Sequence, residues 1–85
     1  MFDSLPLMEQ RRHWWNARWG RLARRDVYLR VDADRWYVEA REGGSEGRSR
    51  WWELDNEDQA MEVVRALLDD SDEWREITPG RTAMP

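Results

Sequence analysis

Few side chains in this sequence could carry out catalysis. It has a single histidine, His13, and neither cysteine nor lysine, so it offers few candidate nucleophiles or general bases. The glycine-rich segment 43–47 lacks the Lys-Ser/Thr pair of a phosphate-binding loop, and the acidic cluster 69–73 lacks the glycine and final glutamate of a calcium loop. We therefore expect no enzyme activity, no metal site and no cofactor, and we expect His13 at the surface.

Most of the other side chains that could have a functional role are aromatic rings and arginines. Seven tryptophans and fourteen arginines occur in 85 residues. Residues 1–30 hold seven arginines against three acids, whereas residues 31–85 hold seven against fifteen. This asymmetry indicates either a basic contact face or two halves of one fold that attract each other. Both alternatives stay open.

The N-terminal segment has apolar residues at near-helical spacing. This spacing predicts a helix from Leu7 to about Arg24, capped by Asp3 or Ser4. Gly20 is unfavourable inside a helix, so part of residues 19–23 could instead be extended. The apolar positions are Met8, Trp15, Trp19 and Leu22.

Between Asp26 and Asp55 the apolar period changes to two, which predicts three antiparallel strands. Turns at Ala33-Asp34 and at residues 43–47 would join them. In this register one face is apolar at every central pair, and a slip by one residue would destroy the match. The predicted pairs are Val31–Trp36, Leu29–Val38, Val27–Ala40, Trp36–Leu54 and Val38–Trp52 on that face, and Arg30–Tyr37 and Asp26–Arg41 on the other.

A second helix is predicted over residues 57–70. Asn56 is its expected N-cap, and Gln59 stands at the capping-box position. Its apolar stripe would cover one sheet face. The predicted fold class is α+β: an N-terminal helix, a three-stranded antiparallel meander and a C-terminal helix packed on one sheet face. We expect a single domain over residues 1–77 and a disordered tail over residues 78–85. The stripe consists of Ala60, Met61, Val64, Leu67 and Leu68.

Aromatic doublets place rings on both faces of the predicted sheet, because neighbouring side chains of a strand point to opposite faces. The doublets are Trp14-Trp15, Trp36-Tyr37 and Trp51-Trp52. Either Trp15, Trp19 and Leu22 of the N-terminal segment cover the face that lacks the helix, or that face binds a partner. The candidate partner-binding residues are Trp14, Trp15, Trp19, Tyr28, Arg30, Tyr37, Glu39, Arg41, Arg50 and Trp51.

The segment Arg35-Trp36-Tyr37-Val38-Glu39-Ala40-Arg41, followed by Arg50–Ala60, resembles two families of three-stranded-sheet-plus-helix domains. These are the DNA-binding domains of plant ethylene-responsive regulators and the arm-binding domains of tyrosine recombinases. The resemblance covers residues 26–68 and implies that the open sheet face reads DNA. It implies sheet-face contacts at Glu39 and Arg41, third-strand contacts at Arg48 and Arg50, and core positions at Leu54 and Ala60.

The expected function is that of a small non-enzymatic protein-interaction module, an adaptor or regulatory domain. Its aromatic and arginine sheet face would bind another protein or a second copy of the chain. The alternative is a nucleic-acid-binding module that reads DNA through the open sheet face and the basic N-terminal segment. A membrane partner is not favoured, because the apolar stripe of residues 8–25 is narrow. Met1–Glu9 does not resemble a signal peptide, so we expect a cytoplasmic location.

Overall fold

The computed structural model describes residues 9–20, 23–43, 47–70 and 72–77. Five strands form one antiparallel sheet, in the order β4-β3-β2-β1-β5. One helix packs on one side of this sheet, over β2, β3 and β4. We call that side the helix face and the opposite side the open face. The elements in chain order are β1 (Glu9–Trp15), β2 (Arg25–Asp32), β3 (Arg35–Glu42), β4 (Arg48–Leu54), α1 (Glu57–Leu68) and β5 (Arg75–Ile77).

The predicted register of the central hairpins is confirmed at every pair. Ala33 and Asp34 form the first turn, in which Ala33 takes a left-handed φ of 57°. At the second connection a Cβ on Gly47 would lie 1.5 Å from the carbonyl oxygen of Glu42, so this close approach requires glycine. Alternation and turn positions were thus sufficient to align β2, β3 and β4.

The predicted N-terminal helix is wrong, and so is the three-stranded sheet. Residues 9–15 form β1, which pairs with β2 and shifts register once, between Gln10 and Arg12. The chain then turns, with Ala17 at a φ of 60° and Gly20 at 96°, and both values are incompatible with a continuing helix. Pairing with β1 provides partners for the backbone N–H and C=O groups along the second edge of β2. A separate N-terminal helix would have left these groups without partners.

The sheet gains its fifth strand after α1. The helix was predicted to reach residue 70, but it ends at Leu68 with Asp69 as its C-cap. The chain then returns so that β5 pairs with β1 through His13, Trp14 and Trp15. A strand of three residues with one apolar side chain carries no recognisable alternation, so β5 could not be predicted from local sequence.

The core lies between the helix face and α1. Asn56 caps the helix as predicted, since its Oδ1 accepts from the Gln59 backbone N–H at 2.8 Å. Gln59 reaches back in turn, and its Oε1 accepts from the Asp55 N–H at 3.3 Å. The predicted packing of this helix on one sheet face is confirmed. The buried apolar residues are Trp14, Val27, Leu29 and Val38 from the sheet and Ala60 and Val64 from the helix.

The described residues 9–15 of the N-terminal segment lie within the sheet and do not pack over its open face, as one alternative supposed. Because β1 lies beside β2 within the sheet, it extends the open face instead of packing over it. Leu22 and the predicted tail 78–85 lie outside the described residues. Among the residues that are described, α1 is too short and too polar to cross a membrane.

Candidate functional site

The open face carries a layer of alternating aromatic and charged side chains. Strand alternation and register bring them to the same side of the sheet, because directly paired residues share a face. They come from four neighbouring strands, so residues far apart in sequence meet in one layer. The members are His13 and Trp15 from β1, Asp26, Tyr28 and Arg30 from β2, Tyr37, Glu39 and Arg41 from β3, and Ser49 and Trp51 from β4.

Glu39 is the buried centre of one half of this layer, with 2% of its surface exposed. Arg30 Nη1 donates to Glu39 Oε1, while Arg41 Nη2 and Ser49 Oγ donate to Oε2 at 3.0 and 2.8 Å. Burial raises the pKa of Glu39, but the hydrogen bonds from Arg30, Ser49 and Arg41 outweigh it and leave the pKa below its ordinary value. Glu39 is therefore an ionised carboxylate enclosed by its own donors.

Asp26 is the buried centre of the other half, also 2% exposed. Its Oδ2 lies 2.7 Å from His13 Nε2, and Arg24 donates to both carboxylate oxygens at 2.8 and 3.0 Å. Burial raises the pKa of Asp26, but the hydrogen bonds from Arg24 and His13 outweigh burial and leave the pKa below its ordinary value. The prediction of His13 as a surface residue is wrong, since only 13% of its side chain is exposed.

Tyr28 joins the two halves. Its ring stacks on His13 with centroids 4.2 Å apart, and the Arg30 and Arg41 guanidinium carbons lie 4.4 and 5.4 Å from its centroid. Burial, with the negative charges of Asp26 and Glu39, raises the pKa of its hydroxyl. The layer is therefore continuous from β1 to β4, and most of its charges are neutralised within it.

Trp51 is the part of this layer that is most available to a partner. It is 51% exposed and lies directly opposite the buried Glu39. The Arg30 guanidinium carbon lies 5.4 Å from its ring centroid, so the ring rests on a fixed cation. Tyr37 is half-buried in the neighbouring strand. Tryptophan and arginine are among the residue types enriched at binding hot spots.

The other predicted site residues lie apart from this patch. Trp14 is buried in the core on the helix face, and Trp15 is half-buried at the far side of the open face. Trp19, 77% exposed, meets the ring of Trp15 edge to face at 4.9 Å. Arg50 lies opposite Ala40 and therefore on the helix face, so its placement among the open-face residues was wrong.

Asn16 is a structural residue that the sequence did not single out. It is 1% exposed, and its Nδ2 donates to the Ala23 carbonyl at 2.8 Å and to Asp72 Oδ2 at 3.0 Å. Its Oδ1 accepts from the backbone N–H of Arg25 at 3.0 Å. An asparagine after a strand indicates a turn. Its hydrogen bond to Asp72, 56 residues further along the chain, could not be predicted from the local sequence.

Basic side chains of the first thirty residues pair with acids near the C-terminus. Arg12 Nε lies 2.8 Å from Glu76, and Arg18 Nε lies 2.7 Å from Asp72. Arg25 Nη1 lies 2.8 Å from Asp70 and 3.2 Å from Asp72. Attraction between the two halves of one fold therefore accounts for much of the charge asymmetry. These internal ion pairs weaken the argument that the basic residues form a contact face.

No metal centre is evident in the described part of the chain. No three histidine or carboxylate side chains converge there. A cavity of about 240 Å³ lies on the helix face near the end of α1, where Leu67 and Trp74 meet Arg25 and Arg48. Comparison of the chain with protein-family models, curated proteins and solved structures gives no match. Any assignment of function therefore depends on the geometry of the open face.

Proposed function

We propose that this protein is a small non-enzymatic protein-interaction module, an adaptor or regulatory domain, that binds a partner protein through its open sheet face. The observation that carries the proposal is the half-exposed ring of Trp51, held over Arg30 beside Tyr37. Tryptophan, tyrosine and arginine are the types that contribute most binding energy at protein interfaces.

Preorganisation supports this proposal. Arg30 is fixed between the rings of Tyr28 and Trp51 and is also bonded to the buried Glu39. Side chains that are already ordered lose little conformational entropy when a partner binds. The face can therefore present Trp51 and Tyr37 to a flat, amphipathic protein surface at low entropic cost.

Nucleic-acid binding has weaker support. On the open face Arg24, Arg30 and Arg41 are paired with buried carboxylates, and Arg35 contacts Glu53 at 2.7 Å. A phosphate would have to compete with these internal partners. The DNA-contact position suggested for Arg50 by family resemblance falls on the helix face. A protein surface that uses aromatic contacts does not need unpaired guanidinium groups.

The test is affinity capture with the tagged full chain from native lysate, with and without nuclease. We expect a discrete, nuclease-resistant partner whose yield falls at least tenfold with Tyr37→Ala and with Trp51→Ala, as for hot-spot residues. Trp19→Ala is the matched control, because it removes an exposed tryptophan away from the patch and should leave the yield unchanged.

Two results would contradict the proposal. A yield that disappears on nuclease treatment would favour the nucleic-acid alternative. A nuclease-resistant partner that is retained by both Tyr37→Ala and Trp51→Ala would place the binding surface elsewhere on the molecule. Far-ultraviolet circular dichroism of each variant separates lost binding from lost folding.

A further inference from the structure

Strand β4 is the long edge of the sheet. The strand order places β4 at one edge and the three-residue β5 at the other, whereas β4 has seven residues. An edge strand leaves a row of backbone N–H and C=O groups without a neighbouring strand, and such a row can pair with a strand of another chain. Within the described residues no strand lies outside β4, and five of its residues are exposed.

The charges along β4 change sign from one end to the other. The strand begins with the basic Arg48 and Arg50, has Trp51 at its centre and carries the acidic Glu53 near its end. In an antiparallel pair of two copies centred on Trp51, Arg48 and Arg50 lie opposite Leu54 and Trp52 on the helix face, and Ser49 lies opposite Glu53 on the open face. This reversed pairing places no two like charges directly opposite each other.

We infer that β4 pairs antiparallel with β4 of a second copy, with Trp51 of each chain opposite Trp51 of the other. This register alone pairs all seven residues of the strand. It also opposes Arg50 with Trp52 of the second copy, a pair that cation–π attraction favours. A shift that centred the pair on Arg50 would instead oppose two like charges, which is destabilising.

The symmetry of this pairing is compatible with the position of α1. Two antiparallel edge strands are related by a two-fold axis perpendicular to the sheet, so both helices lie on the same side. Because α1 packs most closely over β3, the helices would be three strand spacings apart, roughly 14 Å. A helix with its side chains is about 10–12 Å wide, so the two do not collide. The two open faces join with the Trp51 rings at their centre.

This inference concerns the edge of the sheet and is separate from the proposed binding by its face. Tyr37 lies in β3, one strand inside the edge, so Tyr37→Ala removes a face contact and leaves the β4 backbone unaltered. Loss of partner capture with intact self-association, or the reverse, would therefore identify which of the two proposals fails.

The first test measures the mass of the full chain in solution from low micromolar to millimolar concentration. We expect a concentration-dependent dimer of twice the 10.4 kDa chain mass. Trp51→Lys and Trp51→Glu should each weaken the dimer at least tenfold, because each opposes a charge with its own copy. A mixture of the two variants should restore it. Trp19→Lys, at an exposed tryptophan far from β4, should dimerise like the wild type.

A second test uses the absence of cysteine from the chain. Residues directly opposite in an antiparallel pair have Cα atoms about 4.5–5.5 Å apart, within reach of a disulfide. Trp51→Cys should therefore form a covalent dimer on oxidation. Ser49→Cys is the matched control, because in this register it lies four residues from its own copy, about 13 Å along the strand.

The inference is overturned by a chain that stays monomeric at every concentration. It is also overturned by a dimer that Trp51→Lys leaves intact or that the mixture of charged variants fails to restore. Equal cross-linking of Ser49→Cys and Trp51→Cys would show that the register is wrong. Because Trp51 is half exposed, these substitutions should leave the fold intact, and the cross-linking test needs no charged variant.

Discussion

Glu39 organises the open face although a partner cannot reach it. Its carboxylate holds Arg30 and Arg41, and these guanidinium groups in turn lie against the rings of Tyr28 and Trp51. With 2% of its surface exposed, Glu39 can influence binding only through the residues that it holds. It is a positioning residue, and its removal should first be visible in stability.

We expect Glu39→Gln to lower the free energy of unfolding by about 2–3 kcal/mol, because two partly buried guanidinium groups lose the charge that compensates them. Urea unfolding monitored by tryptophan fluorescence measures this change. Glu53→Gln is the control, since Glu53 is 50% exposed and pairs with Arg35, which is 46% exposed. That exposed pair should contribute no more than about 1 kcal/mol. Equal effects of the two variants would contradict a central role for Glu39.

At the level of elements, the sequence predicted those that depend on local alternation and missed those that depend on pairing with distant parts of the chain. The hairpins β2–β3 and β3–β4 were predictable because each is closed by a short turn and pairs residues of matching polarity. Helix α1 was predictable from its cap at Asn56 and its apolar stripe. These elements depend mainly on interactions between neighbours in the chain.

Strand β1 could not be identified in this way. The helical spacing of Trp15 and Trp19 arises because the first ends a strand and the second lies in the loop that follows. The partners that make residues 9–15 a strand are β2 and, sixty or more residues away, β5. Strand alternation correctly predicted that Trp51 and Tyr37 lie on the same sheet face, but the pairing of the neighbouring arginines with Glu39 could be seen only in the structure.

The tryptophans of the N-terminal segment test this correction. We expect Trp14→Ala to lower the free energy of unfolding by about 3–5 kcal/mol, because its ring is 6% exposed and packs in the core. Trp19→Ala should change it by less than about 0.5 kcal/mol, since the ring is 77% exposed. Thermal and urea unfolding of both variants measure the contrast. A helix with Trp19 in its buried stripe, as first predicted, would reverse the order of the two effects.

At the scale of the whole molecule, carboxylates with lowered pKa values occur both in the open face and in the ion pairs that join the early and late parts of the described chain. Glu39 and Asp26 lie in the open face, whereas Asp72 and Glu76 bind Arg18 and Arg12 from the other end of the chain. Hydrogen bonds from Asn16 and Arg18 lower the pKa of Asp72, and that from Arg12 lowers the pKa of Glu76. The folded state thus depends on ionised acids in several places.

The stability of the protein should therefore fall in acid. A carboxylate whose pKa is lower in the folded state binds fewer protons there than in the unfolded chain, so folding is favoured while both states are ionised. This contribution is complete above the ordinary pKa values, about 4 for aspartate and glutamate. It is lost as the pH falls from there through the lowered folded-state values of Asp26 and Glu39.

Urea unfolding at a series of pH values between neutral and strongly acidic tests this expectation with Glu39→Gln and Asp26→Asn beside the wild type. Each variant should be less stable than the wild type at neutral pH. The difference should shrink as the pH falls below about 4, because protonation of the wild-type carboxyl removes the same negative charge. Stability curves that run parallel down to the lowest pH would show that these two buried groups do not couple protonation to folding.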